Sequence, residues 1–149
     1  LDLAASLSQI GKIFIPHAIL TKPGRHSEAE ARAMRGHVAH ALAVLAPIDF
    51  DLPVAAAIGQ MYERLDGSGY PAGLKGAQIG LLARVLGAAD AFCALSAPRS
   101  YRDQLGTQDA LAHLVASPHL YDAAVILTLG EVVAAQGDAR RKSAAGAAA

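Results

Sequence analysis

Residues 63–71 of the chain read ERLDGSGYP, and this stretch decides the fold. It leads into residues 66–76, which contain four glycines and one proline and therefore do not continue a helix. On both sides of this loop, apolar residues recur every three or four positions, as in an amphipathic helix. A loop of such composition is usually only a connector, but the specific order of these residues indicates a functional loop between two helices.

Apolar residues follow the helical period through the rest of the chain as well. The fold class is therefore predicted to be all-α. A capping box of Ser27 and Glu30 marks the start of one helix. The predicted helices cover residues 3–10, 28–45, 51–65, 78–95, 107–115 and 122–136. Residues 13–20, which are interrupted by Pro16, are predicted to form a loop packed on the core.

Length and composition limit what this chain can be. Its 149 residues suffice for one domain, which we place at residues 1–136, followed by a disordered tail at residues 137–149. The 13 basic and 13 acidic residues balance, which argues against binding to nucleic acid. No apolar run is long enough to insert into a membrane. The lone cysteine, Cys93, fits a reducing, cytoplasmic compartment, and we expect it in the core.

Two residues stand out as candidates for chemistry. His37 lies about 80° from the centre of the apolar stripe of its helix, so it can face a pocket, although such a histidine is more often packed or solvated than a ligand. Asp90 is the only charged residue between Val85 and Leu95. A carboxylate in such surroundings is hydrogen-bonded, paired, bound to a metal or turned to the solvent edge of its helix. The spacing alone leaves these alternatives open.

Taken together, the motifs of this sequence resemble those of the HD-GYP domain, a subfamily of the metal-dependent HD phosphohydrolases. The matching segments are IGKI at 10–13, RGH at 35–37, ERLDGSGYP at 63–71, ARV at 83–85, AD at 89–90 and RSYR at 99–102. The resemblance implies an HD-type helical bundle with about five or six helices here and the N-terminal helices of the domain missing. It also implies a connection to cyclic di-GMP, which family members cleave at a centre of iron or manganese.

The resemblance places most of the family's metal ligands at positions where this chain has other residues. The positions at which the family ligand is lost are Ser8, Gln9, Met61 and Tyr62, and those at which it remains are His37 and Asp90. Neutral hydroxyl and amide oxygens bind these metals weakly, a thioether is soft, and a phenol must first lose a proton. Two remaining ligands do not hold a cluster, so we expect no cofactor, with iron or manganese absent or weakly bound.

The same resemblance implies that the phosphate-binding side of the pocket is retained. Family members hold the phosphates of cyclic di-GMP with three basic residues, and the matching positions are Lys12, Arg99 and Arg102. An arginine fork suits phosphate oxygens, and a lysine adds a mobile point charge. Three solvated surface cations are the plain alternative. The glycine-rich segment corresponds to the family's GYP loop, with Asp66, Gly67, Gly69, Tyr70 and Pro71.

The sequence therefore predicts a degenerate member of this family in bacterial signalling. We expect it to bind cyclic di-GMP or a protein partner and to transmit that state without hydrolysis. One alternative is a phosphodiesterase with a reduced or rearranged metal site. The other is an interaction platform for a protein such as a diguanylate cyclase domain. Exposed apolar surface would also allow a homodimer.

Overall fold

The computed structural model describes residues 1–97 and 105–146, with side chains in the last helix described as far as residue 137. Every regular element within these ranges is helical, which confirms the all-α prediction. The α-helices are α1 (Asp2–Leu7), α2 (His17–Leu20), α3 (Glu28–Arg35), α4 (His37–Leu45), α5 (Val54–Gln60), α6 (Leu81–Ser96), α7 (Thr107–Val115) and α8 (Ala123–Gly146), and short 3-10 helices occupy Ile10–Phe14 and Gly76–Gln78. None of the described helices is long and apolar enough to cross a membrane.

Two apolar clusters hold these helices together, and α6 belongs to both. The larger cluster packs α1, α4 and α5 against α6, and its buried members are Ala4, Ala41, Leu45, Val54, Ala57, Ile58, Met61 and Leu86. The smaller cluster joins α6 to α7 and α8 through Ala88, Leu114 and Ile126. Full burial of each larger side chain stabilises the fold by about 1.5–3 kcal/mol. Asp90 therefore lies on a helix whose position is fixed from two sides.

Two glycines allow the elements around the candidate site to approach each other closely. A Cβ on Gly11, in the first 3-10 helix, would overlap the carbonyl oxygen of His37. A Cβ on Gly87, in α6, would overlap the carbonyl oxygen of Met61. Such backbone contacts leave no room for a side chain, so both positions require glycine. They bring residues 8–12 next to the start of α4 and bring the end of α5 next to α6.

The sequence predicted most of the helices but placed several of their ends wrongly. Helix α7 has the predicted bounds, and α1 and α6 differ from theirs by one to three residues at each end. The predicted helix 28–45 is divided at Gly36 into α3 and α4, and the predicted helix 51–65 is only α5. Beyond α5 the backbone bonds to a distant segment, since the Leu65 N–H donates to the Leu120 carbonyl oxygen. Helical periodicity does not reveal such long-range bonds.

Three further expectations need correction. Residues 13–20 are not a packed loop, because they include the end of a 3-10 helix and α2, and the side chains of Ile13 and Phe14 are exposed. Helix α8 continues to Gly146, so the first part of the predicted tail is helical, and the domain division at residue 136 stays a prediction. Cys93 is exposed rather than in the core, because α6 packs through other faces.

We expect opposite effects from alanine at two helical glycines. At Gly130 in α8 a Cβ would meet nothing within 4 Å, so Gly130→Ala should raise the free energy of unfolding by about 0.5–1 kcal/mol through better helix propensity. At Gly87 overlap with the Met61 carbonyl outweighs that gain, and Gly87→Ala should lower the free energy of unfolding by about 1–3 kcal/mol. Urea unfolding followed by circular dichroism measures both. Equal effects at the two positions would contradict the close packing of α5 on α6.

Candidate functional site

The side chain of Gln9 connects several of the candidate positions. Its amide nitrogen donates to Asp90 Oδ1 at 3.1 Å and to Tyr62 Oη at 3.2 Å, and it shares one of its two hydrogens with Ser8 Oγ at 3.3 Å. Gln9 precedes the first 3-10 helix, Tyr62 follows α5 and Asp90 lies in α6, so residues far apart in the chain meet at one point. The amide presents its nitrogen here because an ionised carboxylate only accepts hydrogen bonds. We call these four side chains the Gln9 network.

His37 begins α4 and is buried beside the Gln9 network. It is 2% exposed, and its Nδ1 donates to the Met34 carbonyl oxygen at 2.6 Å, which leaves Nε2 as an acceptor. In the described part of the chain, neither this Nε2 nor Gln9 Oε1 has a hydrogen-bond partner. Burial lowers the pKa of His37 below its usual value, the bond to Met34 opposes that change, and the charge of Lys12 adds to it. The imidazole is therefore neutral at pH 7.

A column of rings joins the Gln9 network to the glycine-rich loop. The rings of His37 and Tyr62 meet edge to face, with centroids 5.1 Å apart. The Tyr62 ring stacks on Tyr70, with centroids 5.1 Å apart and only 4° between the planes. The guanidinium of Arg35 lies over the Tyr70 ring, 5.4 Å from its centroid. Burial raises the pKa of Tyr70 to about 12, so the phenol is neutral at physiological pH.

The glycine-rich loop is held by Glu63, the first residue of the ERLDGSGYP motif, which was not among the predicted site residues. Its buried carboxylate accepts the backbone N–H of Ala72 at 2.7 Å and that of Leu74 at 3.0 Å. Hydrogen bonds to a charged acceptor are the stronger ones. Gly69 has no room for a Cβ against the backbone of Glu63, and Gly67 has a φ of +84°. The sequence feature that could have identified Glu63 is its carboxylate next to a loop whose many backbone N–H groups need acceptors.

Ser8 and Met61 serve mainly structural purposes. The Ser8 hydroxyl is buried and donates to the Ala5 carbonyl oxygen at 2.8 Å, while it accepts from Gln9. Met61 is 1% exposed and belongs to the larger apolar cluster. A hydroxyl bonded to the backbone and a thioether in the core are poor ligands for iron or manganese. Of the four substituted positions, Gln9 contacts Asp90 directly and Tyr62 is connected to it through the Gln9 amide.

The residues gathered here do not fit a centre of iron or manganese. Such ions take about six oxygen or nitrogen donors, several of them charged. The Gln9 amide directs an N–H at the Asp90 carboxylate, where a cation would need to lie. Tyr62 contributes only a phenol. Among the described side chains, those of residues 1–97 and 105–137, no group of three or more His, Cys, Asp or Glu is placed to hold a metal ion.

The remaining predicted site residues lie at or beyond the edge of this arrangement. Lys12 is half-buried in the first 3-10 helix and near enough to His37 to act on its pKa. Arg99 and Arg102 lie outside the described residues, so their part in phosphate binding stays a prediction. Asp66 and Pro71 are exposed in the loop, and Asp66 accepts a bond from the backbone of the same turn.

The known proteins that resemble this chain match it over most of its length. The chain matches the family model for the HD domain over residues 1–125. It is 41% identical over 116 residues to 3'3'-cGAMP-specific phosphodiesterase 3 of Vibrio cholerae serotype O1, covering 78% of this chain and 25% of that protein. It is 40% identical over 119 residues to the cyclic di-GMP phosphodiesterase response regulator RpfG of Xanthomonas campestris pv. campestris, covering 78% and 31%. A cyclic di-GMP phosphodiesterase of Thermotoga maritima is 35% identical over 132 residues, covering 85% and 35%. The chain thus spans between a quarter and about a third of the length of these relatives.

We expect His37 to make the fold sensitive to acid. Burial holds the pKa of His37 in the folded chain below the ordinary histidine value of 6.5, so below about pH 6.5 the unfolded chain binds a proton that the folded chain does not, and stability is lost as pH falls. His37→Asn should weaken this dependence by up to about 1.4 kcal/mol per pH unit. Urea unfolding at several pH values between about 8 and about 5 measures this pH dependence of the free energy of unfolding. His113→Asn, at an exposed position in α7, is the control for the loss of one histidine, because His113 is not among the groups that act on His37.

Proposed function

This chain belongs to the HD domain family, and we propose that it is a non-hydrolytic signalling domain that binds a cyclic dinucleotide. Three relatives bear names that describe phosphodiesterases of cyclic di-GMP or of 3'3'-cGAMP. The ligand class proposed for this chain follows those names, with cyclic di-GMP first. The signal passes to whatever domains or partner proteins are attached.

The hydrogen bond from the Gln9 amide to Asp90 is the observation that carries the non-hydrolytic part of the proposal. Cleavage of a phosphodiester in this family needs a metal-activated water and a cation that takes up developing charge. The Gln9 network supplies neutral groups around one carboxylate, with Tyr62 Oη as the next acceptor. Such a network does not generate a nucleophile of low pKa. Losing metal activation costs many orders of magnitude in rate.

The position of Lys12 supports the binding part of the proposal. Lys12 is half-buried beside His37, and we assign it to a phosphate of the ligand. We assign Arg99 and Arg102 to the same phosphates by their positions in the family motif. A guanidinium forms two parallel hydrogen bonds to phosphate, and such charge-assisted bonds are stronger than neutral ones.

Two other functions each have an observation in their favour. The Asp90 carboxylate acts on the pKa of His37, and His37 Nε2 has no hydrogen-bond partner among the described residues, which favours a residual phosphodiesterase with a rearranged site. The loop that Glu63 holds presents Asp66, Ser68 and Pro71 at the surface, which favours a protein-binding platform, for a diguanylate cyclase domain or for a second copy of this chain. The two experiments below separate these functions from the proposed one.

Purified protein should hold fewer than about one iron or manganese ion per chain, and cyclic di-GMP hydrolysis should stay at background with either metal added. Elemental analysis and product chromatography measure these quantities. The pair Ser8→His and Gln9→Asp should raise metal uptake without restoring hydrolysis while Met61 and Tyr62 remain. Turnover that Asp90→Ala abolishes would establish the residual phosphodiesterase instead.

Alanine at Lys12, Arg99 or Arg102 should each weaken cyclic di-GMP binding about 10- to 150-fold, since a partly desolvated charged bond contributes roughly 1.5–3 kcal/mol. Arg99→Lys should restore only part of the loss. Arg32→Ala is the matched control, because Arg32 is exposed and pairs with Glu28 on its own helix at 4.0 Å. Calorimetry with and without chelator measures all of them, and chelator should change little. If the full-length protein shows no saturable binding at about 0.1 mM nucleotide, the platform replaces the receptor.

A further inference from the structure

We propose that Tyr70 is the platform on which a nucleobase of the bound cyclic dinucleotide stacks, with the Arg35 guanidinium closing over that base. This inference rests on the proposed function and names how one end of the ligand is recognised. It adds two residues that neither the metal positions nor the phosphate positions include. Both are described in the structure, unlike Arg99 and Arg102.

The Tyr70 ring is held in place before any ligand arrives. It lies parallel to Tyr62, which takes up one of its faces and leaves the other for the guanidinium of Arg35. The Tyr70 N–H donates to the Tyr62 carbonyl oxygen at 3.2 Å, and Tyr62 Oη accepts from Gln9. A ring fixed in this way loses little freedom when a base stacks on it, which favours affinity.

Arg35 is free to move over this ring. It is exposed at the end of α3. Within the described residues the ion pairs join Lys22 to Glu30, Arg32 to Glu28 and Arg84 to Asp122, and none of them includes Arg35. A long exposed side chain without a carboxylate partner can shift outward by the thickness of one base. Its planar, weakly hydrated guanidinium then stacks on the second face of the base.

The platform lies beside the place assigned to the phosphates. Gly11, which precedes Lys12, lies against the His37 backbone, His37 meets Tyr62, and Tyr62 stacks on Tyr70, so the contacts run from the phosphate position to the ring. A cyclic dinucleotide carries its bases directly outside a ring that contains both phosphates. A base next to a bound phosphate therefore needs a flat surface at this side of the site. Aromatic rings and guanidinium planes are the surfaces that proteins use for unpaired bases.

The first test compares the affinities of cyclic di-GMP and cyclic di-UMP by calorimetry. A purine covers more of a tyrosine ring than a uracil does, so wild type should prefer cyclic di-GMP. Tyr70→Phe keeps the ring and should retain this preference. Tyr70→Leu should weaken cyclic di-GMP binding about tenfold, within the range for loss of one base–aromatic stack, and should change cyclic di-UMP binding less. Melting temperatures of both variants report whether the loop still folds.

The second test uses Arg35. Arg35→Ala should weaken cyclic di-GMP binding about fivefold more than Arg32→Ala does, because both remove one charge from α3 but only Arg35 covers the Tyr70 ring. Arg35→Lys should restore little, since an ammonium has no plane to stack.

The results of these tests distinguish a failure of the platform from a failure of the proposed function. If wild type binds and both Tyr70 variants keep its affinities and its purine preference, the platform is overturned while the proposed function stands. Equal loss of both nucleotides in Tyr70→Leu, with Phe unchanged, would also overturn it, because that pattern reports a structural role. If wild type binds neither nucleotide, the proposed function fails and the platform fails with it.

Discussion

The hydrogen bond from the Gln9 amide to the Asp90 carboxylate is the interaction on which the arrangement of the site depends. It connects the segment before the first 3-10 helix to α6, and the second bond of the same amide reaches Tyr62 at the end of α5. The two glycine contacts make this geometry accessible, because Gly11 and Gly87 let the backbones approach without a side chain between them. The column of rings and the glycine-rich loop then follow from where Tyr62 is held.

The neutral Gln9 network stabilises the partly buried carboxylate of Asp90. Without the Gln9 amide, Asp90 would have no hydrogen-bond partner among the described residues, and an unpaired carboxylate away from water is costly. In the family this position implies metal ions as the compensating charge, whereas here the amide of Gln9 donates directly. The loop is likewise stabilised by protein groups, since Glu63 accepts two of its N–H groups. The arrangement of the site therefore depends on hydrogen bonds within the chain.

How far the sequence predicts this site differs from residue to residue. Periodicity is a local property, so it located α7 correctly and identified His37 as able to face inward. The family motif identified Gln9 and Tyr62 as substituted ligands, but not that they bond to each other, because 53 residues separate them. Glu63 and Arg35 act through loop N–H groups and a ring face, which have no sequence period. The prediction that Cys93 lies in the core was wrong, because α6 packs against two clusters and leaves that position exposed.

A signalling domain also needs a part that differs between the free and the bound state, since a ligand shifts an equilibrium only through its differential affinity. The Gln9 network and the loop at Glu63 are bonded on several sides and are poor candidates for such a change. Arg35 ends α3 beside the division at Gly36, directly before buried His37. In the proposed complex, the base under the Arg35 guanidinium would lie beside the division between α3 and α4. The proposed position for the base is thus next to the point where one helix ends and the next begins, which is where a bound ligand would act on the helices.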